Sequence, residues 1–210
     1  MQESDKQSKL NEKLWDSRAS TYDRLFSFTR WTQRKLVDSL KIEVNTNFLD
    51  LGCGTGWAVR YAAARASCQG LFYGVDASSE MVKQAELLSN GYKNLHFIKS
   101  RAEELSLESN FFDVVISSNA FHHFSNPEKA LEETCRVLKS KGKVYILDTT
   151  ADHLFMRMID RLGRKLEPGS VKLYSTKEFQ LLYEKAGLHY IASKPIFSAI
   201  KVHIAEKPTS

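Results

Sequence analysis

Glycines 52, 54 and 56 stand between the apolar run Phe48-Leu49-Asp50-Leu51 and a helix-compatible stretch from Trp57 to Ala66. Glycine loses more conformational freedom on folding than any other residue. Three of them in five positions mark a place where bare backbone must approach something closely. An apolar strand, a glycine loop and a helix in that order suit a ligand bound at the carboxyl end of a strand. Two phosphate-gripping fingerprints are excluded by spacing. A dinucleotide loop, G-x-G-x-x-G, would need a third glycine where Trp57 stands, and no Gly-Lys-Ser/Thr follows to make a P-loop. Asp76 ends the next apolar run, twenty residues past Gly56. A carboxylate there lies beside the glycine loop, within reach of ribose hydroxyls. With Asp50 just ahead of the glycines, the balance of charge suits a cationic nucleoside better than an anionic dinucleotide.

A second group of residues could move protons. His122, His123, Asp148, Asp152 and His153 all fall near the ends of apolar runs. Histidine titrates near neutrality and can take a proton from a nucleophile. The sequence does not choose among the five.

These residues need elements to position them. Leu10, Leu14, Trp15, Arg18 and Tyr22 recur at helical spacing, and a second helical pattern spans Trp31 to Leu40; residues 1–9 are polar and expected to fray. Then FLDL, LFYGVD, LHFIKS, FDVVISSNA and KVYILDTT read as five strands. Helices follow the first (to Ala66), the second (Ser79 to Asn90) and the fourth (Pro127 to Leu138). Short apolar strands alternating with helices predict an α/β fold with a doubly wound, mostly parallel sheet. The ending differs. His153 to Leu166 and Ser175 to Ala186 read as helices, the latter opened by a Ser175/Glu178 capping box and closed by Gly187. HYIASKPIF and SAIKVHIAEK then follow with no helix between them, which predicts an antiparallel hairpin at the sheet edge.

The 210 residues fit one domain, read as a helical lid segment over 1–44 and a main unit over 45–210 with a helical insert at about 151–174. Hydrophobic content of 42% and charged content of 26% are those of an ordinary globular chain. No apolar stretch is long enough to suggest a membrane span, and the polar start lacks the apolar core of a secretory signal. Three widely spaced cysteines, Cys53, Cys68 and Cys135, form no metal-ligand pattern and read as free thiols in a reducing cytoplasm. A net charge of +5 permits an anionic partner or a peripheral membrane contact without requiring either.

Five segments now carry a resemblance. LDLGCGTG, GVDASSEM, RAEEL, FDVVISSNAFHHF and ALEETCRVLKSKGKVYILD resemble, in order, the successive motifs of class I S-adenosylmethionine-dependent methyltransferases. The subgroup most similar is that of small-molecule enzymes around the ubiquinone/menaquinone C-methyltransferases. The resemblance covers roughly residues 15–205. It implies a Rossmann-like seven-stranded sheet with helices on both faces, S-adenosylmethionine as cofactor and S-adenosylhomocysteine as product.

The resemblance also implies roles. Gly52, Cys53, Gly54 and Gly56 form the loop beneath the methionine portion of the cofactor. Asp50 holds its amino end, directly or through water, and Asp76 the ribose hydroxyls. Ala77 and Met81 flank the adenine, although Met81 also suits plain helix packing. Ala102 donates to the ring through its backbone, while Arg101 replaces the family's adenine-reading Asp. Ser117, Ser118 and Asn119 touch the cofactor mainly through backbone, and His122 lines its pocket. Tyr22, in WDSRASTYD, matches a lid tyrosine. The family's Leu-Lys-Pro-Gly-Gly turn is here Leu138-Lys139-Ser140-Lys141-Gly142, with only the last glycine kept.

The implied reaction is methyl transfer to a small-molecule acceptor, lipophilic or anionic. His122, His123 and Asp148 are the candidates for any proton transfer, and no metal is called for. The acceptor would be set by the N-terminal helices and by the insert. There Leu154, Phe155, Met158, Ile159, Leu162 and Leu166 form one stripe, and Arg157, Arg161, Arg164 and Lys165 another. Two alternatives stay open: a cofactor-binding regulator or partner subunit that transfers no methyl group, and an RNA or protein methyltransferase. The chain offers the latter no dense basic tract with interleaved aromatics and no Asn/Asp-Pro-Pro-Tyr/Phe motif. Its glycine spacing disfavours a nicotinamide dehydrogenase.

Overall fold

A computed structural model describes residues 3–19, 27–66, 69–153, 156–158, 160–161 and 172–209. Tyr22, Cys68 and, from the insert, Leu154, Phe155, Ile159, Leu162, Arg164, Lys165 and Leu166 lie outside the described residues.

Seven strands form one sheet: β1 (Phe48–Leu51), β2 (Phe72–Asp76), β3 (Leu95–Lys99), β4 (Phe112–Ser118), β5 (Leu138–Thr149), β6 (His189–Phe197) and β7 (Ile200–Glu206). Their order is β3-β2-β1-β4-β5-β7-β6. The first five are parallel, and β7 inserts antiparallel between β5 and β6, which gives the predicted edge hairpin. Strand order reverses between β1 and β4, and in open α/β sheets ligands bind in the crevice at such a switch point.

The helices are α1 (Glu3–Arg18), α2 (Ser27–Asp38), α3 (Trp57–Ala66), α4 (Ser79–Leu88), α5 (Pro127–Val137) and α6 (Thr176–Lys185). The segment expected to fray is therefore helical from Glu3 onward. Alternate strand residues go to opposite layers. Leu49, Val115 and Ile146 pack with Leu131 of α5 and with Phe179 and Tyr183 of α6. Phe48, Ile116 and Leu147 pack with Leu36 and Val37 of α2 and with Ala58 and Val59 of α3. Burial on both faces explains why the strands read as continuous apolar runs.

Local chemistry fixes the helix starts. Ser78 Oγ accepts from Met81 N (3.1 Å) at α4, Asn126 Oδ1 accepts from Lys129 N (3.0 Å) ahead of Pro127 at α5, and the Ser175/Glu178 capping box opens α6. One boundary moves. β5 begins at Leu138, directly off α5, and not at Lys143. Its register against β4 shifts between Phe112 and Val114, and the altered Leu-Lys-Ser-Lys-Gly turn is absorbed there with Lys141 at φ +64°.

Candidate active site

The glycine loop turns the chain over the carboxyl end of β2. Gly52 N and Cys53 N both donate to Val75 O, at 2.8 and 3.0 Å. Gly52, Gly54 and Gly56 have φ of +73°, +53° and +75°, which side chains rarely tolerate. Two of them also sit against neighbours: a Cβ on Gly52 would stand 2.5 Å from Ala120 Cβ, and one on Gly56 2.5 Å from the Phe97 ring. Strain and close packing separate experimentally. Gly52→Ala is expected to cost about 2–4 kcal/mol, an apparent Tm loss on the order of 10 °C. Gly91→Ala, at φ +95° with nothing within 4 Å, should cost only about 1 kcal/mol. Equal losses in thermal melts would mean that packing at Gly52 contributes nothing.

Asp76, at the tip of β2, is fixed from both sides. Its Oδ2 accepts from Gly54 N (2.8 Å) and its Oδ1 from Ser78 N (2.9 Å). Each oxygen keeps a lone pair for a ligand. Burial pushes its carboxyl above the ordinary range, against the pull of those two N–H groups.

Around this loop lies a cavity. Gly52 and Gly54 line it, as do Asp76, Ala77 and Met81 on the β2 side. Arg101 and Ala102 line it after β3, and Ser118, Asn119 and His123 after β4. Five expected residues are not on its wall. Asp50 lies buried, 1% exposed. The Cys53 thiol turns into the fold, where a Cβ on Gly74 would stand 2.8 Å from its sulfur, and burial first, then the Asp76 and Asp50 charges, push its pKa well up. Gly56 meets Phe97, Ser117 Oγ donates back to Leu51 O (2.9 Å), and His122 faces Asp148.

Both carboxylate oxygens of Asp50 are buried without a hydrogen-bond partner. Burial and then the Asp76 charge push its carboxyl up to about 8. An unpartnered buried carboxylate is costly unless a cation or donor reaches it.

The two histidines diverge. They occupy a single 3₁₀ turn, Phe121–His123, with ring centroids 4.0 Å apart. His123 lines the cavity and meets Trp15 edge-on at 5.2 Å. His122 Nδ1 lies 2.8 and 2.9 Å from the two oxygens of Asp148, and its backbone N donates to Oδ2 (3.0 Å). Burial opposes the imidazolium, but the Asp148 charge and hydrogen bond, with the Asp160 charge behind them, raise the His122 pKa. Asp148 is likewise opposed by burial, yet the His122 charge and the donors around it hold its carboxyl below the usual range. The sequence candidates His122 and Asp148 are thus one pair. Asp152 is committed elsewhere, bound by Thr176 and by Lys201 Nζ (2.7 Å).

Sequence reasoning missed much of the cavity's roof and far wall. Helix α1 contributes Asn11, Glu12 and Trp15. It is held on one side by Asp16, whose Oδ1 accepts from Ser78 Oγ (2.6 Å) and Glu80 N (3.2 Å), and on the other by Asn11 Nδ2, which donates to His123 O (3.2 Å). Across the cavity, Glu103 Oε1 accepts from Ser125 N and Oγ and from Asn126 N. Arg101 donates to Ser125 Oγ (2.6 Å), so it is built into this wall and does not simply extend into solvent.

These residues fit a cationic nucleoside. Asp76 offers acceptor lone pairs on the cavity wall, Met81 and Ala102 give apolar walls, and Asp50 is an unpartnered buried acid beneath the glycine loop.

Known proteins agree. The family described as a methyltransferase domain matches residues 49–146. An uncharacterized methyltransferase, YcgJ of Bacillus subtilis, is 30% identical over 160 residues; the match takes in 74% of this chain and 62% of that protein. A demethylmenaquinone methyltransferase of Bacillus licheniformis is 28% identical over 205 residues, 85% of this chain and 88% of its own. Among solved structures, a complex between the Haloferax volcanii Trm112 methyltransferase activator and a methyltransferase superposes at a TM-score of 0.81 with 20% identity, covering 93% of this chain and 98% of that one. A SAM-dependent methyltransferase of Aquifex aeolicus does so at 0.69 with 24% identity, covering 99% and 100%. At those identities the structures speak for the fold, and they carry the same architecture. Motif order, sheet topology, the glycine loop with its two carboxylates and the sequence relatives all support one family, the class I S-adenosylmethionine-dependent methyltransferases, to which this chain is similar.

Proposed function

We propose that the chain transfers a methyl group from S-adenosylmethionine to a small-molecule acceptor, lipophilic or anionic, that must shed a proton. The observation that carries this reading is the Asp50 carboxylate, buried and unpartnered below the loop that meets Asp76. The demethylmenaquinone methyltransferase relatives favour an acceptor of the quinol kind.

In this reading Asp50 takes the amino end of the cofactor, directly or through water. Gly52 and Gly54 offer bare backbone to its methionine portion. Asp76 accepts from the ribose hydroxyls, Ala77 and Met81 flank the base, and the Ala102 N–H meets its edge. Ser118 and Asn119 close the far end, and α1 covers the whole. When bound, S-adenosylmethionine supplies a methyl group already activated on a sulfonium, and S-adenosylhomocysteine remains. The protein's work is then orientation and exclusion of water. A neutral acceptor must also lose a proton, before or after transfer, to a protein group or to water. His122 Nε2 is the candidate, because Asp148 engages Nδ1 and leaves Nε2 as the nitrogen that can accept a proton.

Calorimetric titration with S-adenosylmethionine tests the reading, with NADH as control. Micromolar binding is expected for the wild type and none for NADH. Asp76→Ala should weaken binding by about a hundredfold, the loss of two hydrogen bonds to a charged acceptor. Production of S-adenosylhomocysteine is then followed across lipophilic quinols and phenols. NADH binding in place of S-adenosylmethionine binding would overturn the reading.

A further inference from the structure

Three aromatic rings meet on the surface at the end of the sheet where the cavity opens. Phe28 and Trp31 of α2 stack at 5.6 Å, and Phe197, the last residue of β6, closes edge-on against both at 6.1 Å. They are 51%, 39% and 57% exposed. Helix α2 buries its opposite face through Thr32, Leu36 and Val37, and among the described residues the aromatic face lies outside both hydrophobic cores. An exposed cluster of that kind marks an interaction site.

The cluster is tied to the cavity through one wall residue. Asn119 Nδ2, on the cavity wall, donates to Thr32 Oγ1 of α2 (3.2 Å). The β6–β7 hairpin tip, just past Phe197, is held at the carboxyl end of β5, where Ala199 O accepts from Thr150 N (2.8 Å) and Oγ1 (2.9 Å). Cations surround the same end. Lys35 Nζ lies 6.0 Å from the Trp31 ring centre, and Lys194 is exposed on β6. Arg157 and Arg161, both exposed, follow β5 and flank Met158 but share a groove with α6, with Asp160 and Glu178 beside them, and so stand apart from the rings.

We infer that Phe28, Trp31, Phe197 and the lysines beside them form a docking face for an anionic lipid bilayer, which seats the carboxyl end of the sheet at the membrane surface. Aromatic rings settle at the level of the headgroups, and each nearby Lys or Arg adds attraction to an anionic leaflet. The charge argues against a second copy as the occupant. Two such faces would bring like-charged rims together in a chain that already carries +5. The membrane contact thus lies on α2 and the hairpin. This inference goes beyond the methyl-transfer reading and holds whether or not an acceptor is turned over.

The test is co-sedimentation of the full chain with vesicles of phosphatidylglycerol and phosphatidylcholine, against phosphatidylcholine alone. Binding should require phosphatidylglycerol and fall with added salt. The double variant Phe28→Ser/Phe197→Ser should lose at least about tenfold in partitioning, since two apolar side chains no longer leave water, while its cofactor titration matches the wild type and shows that it is folded. Lys35→Glu should weaken binding as well. Failure to bind anionic vesicles, or equal binding by the double variant, overturns the inference. So does a wild-type dimer that the double variant converts to monomer, since the face would then belong to a second copy.

Discussion

His122→Gln is expected to lower turnover by about 10²–10⁴-fold, the usual contribution of a positioned general base. Cofactor affinity should stay nearly constant, because His122 faces Asp148 and does not line the cavity. Asp148→Asn should cost a comparable factor by a different route. Asp148 touches no substrate; it is a positioning residue that fixes the imidazole tautomer and charge. The pH dependence separates the two roles. A base works only when deprotonated, so the rate should rise with pH through the His122 pKa, which Asp148 and Asp160 together hold above its ordinary value. His123 is the other titratable group against it. Removing the Asp148 charge should move that midpoint to lower pH while the maximum rate falls. A midpoint unmoved in Asp148→Asn, or full turnover by His122→Gln on a phenolic acceptor, would remove the pair from the mechanism.

Why the sequence left this pair undecided has a simple cause. Adjacent residues in a 3₁₀ turn point about 120° apart. His122 and His123 therefore reach different neighbours, Asp148 on one side and Trp15 on the other. No spacing rule distinguishes them, and the resemblance assigned the cofactor wall to His122 where the cavity has His123. The strands, by contrast, were legible because both faces of the sheet are buried, and the edge hairpin because two strand patterns followed one another without a helix. Gly52, Gly54 and Asp76 were legible because the chemistry there is local: a loop, the strand beside it and a hydrogen bond between them. Glu103 was not. Its partners Ser125 and Asn126 arrive from another strand's loop, and nothing near position 103 announces them. The roof was half visible. Helical spacing placed Leu14, Trp15 and Arg18 on one helix, but only the docked structure shows Asp16 bonded at the start of α4, from Ser78 Oγ and Glu80 N.

Cofactor binding should expel a proton from the floor of the site. In the ligand-free protein Asp50 is buried without partners and titrates at about 8, so it is mostly neutral at neutral pH. An ammonium group placed near it restores the charge, and the proton leaves. Affinity should then strengthen with rising pH, by up to about tenfold per unit between roughly pH 5 and 7. That window lies below the titration of the ligand's own amino group, at about 7.7–8.0. Calorimetric enthalpies in buffers of different ionisation heat should differ by the heat of about one proton. Asp76 repels Asp50 and is itself raised by burial and the Asp16 charge, so Asp50→Asn is needed to assign Asp50's share of the proton. The variant should bind more weakly at neutral pH and lose most of the slope. Its stability should change in the opposite sense. A carboxyl whose folded pKa lies above its unfolded value stabilises the fold at low pH, and that contribution fades as pH rises through about 8. The ligand-free wild type should therefore melt lower at about pH 8 than at about pH 6, and Asp50→Asn should narrow that gap. Stability held in reserve for the bound state explains how a chain keeps an orphaned acid in its core: the group that destabilises the empty protein is the one its ligand completes. Buffer-independent enthalpies, or an undiminished slope in Asp50→Asn, would show that the carboxylate is satisfied by other means.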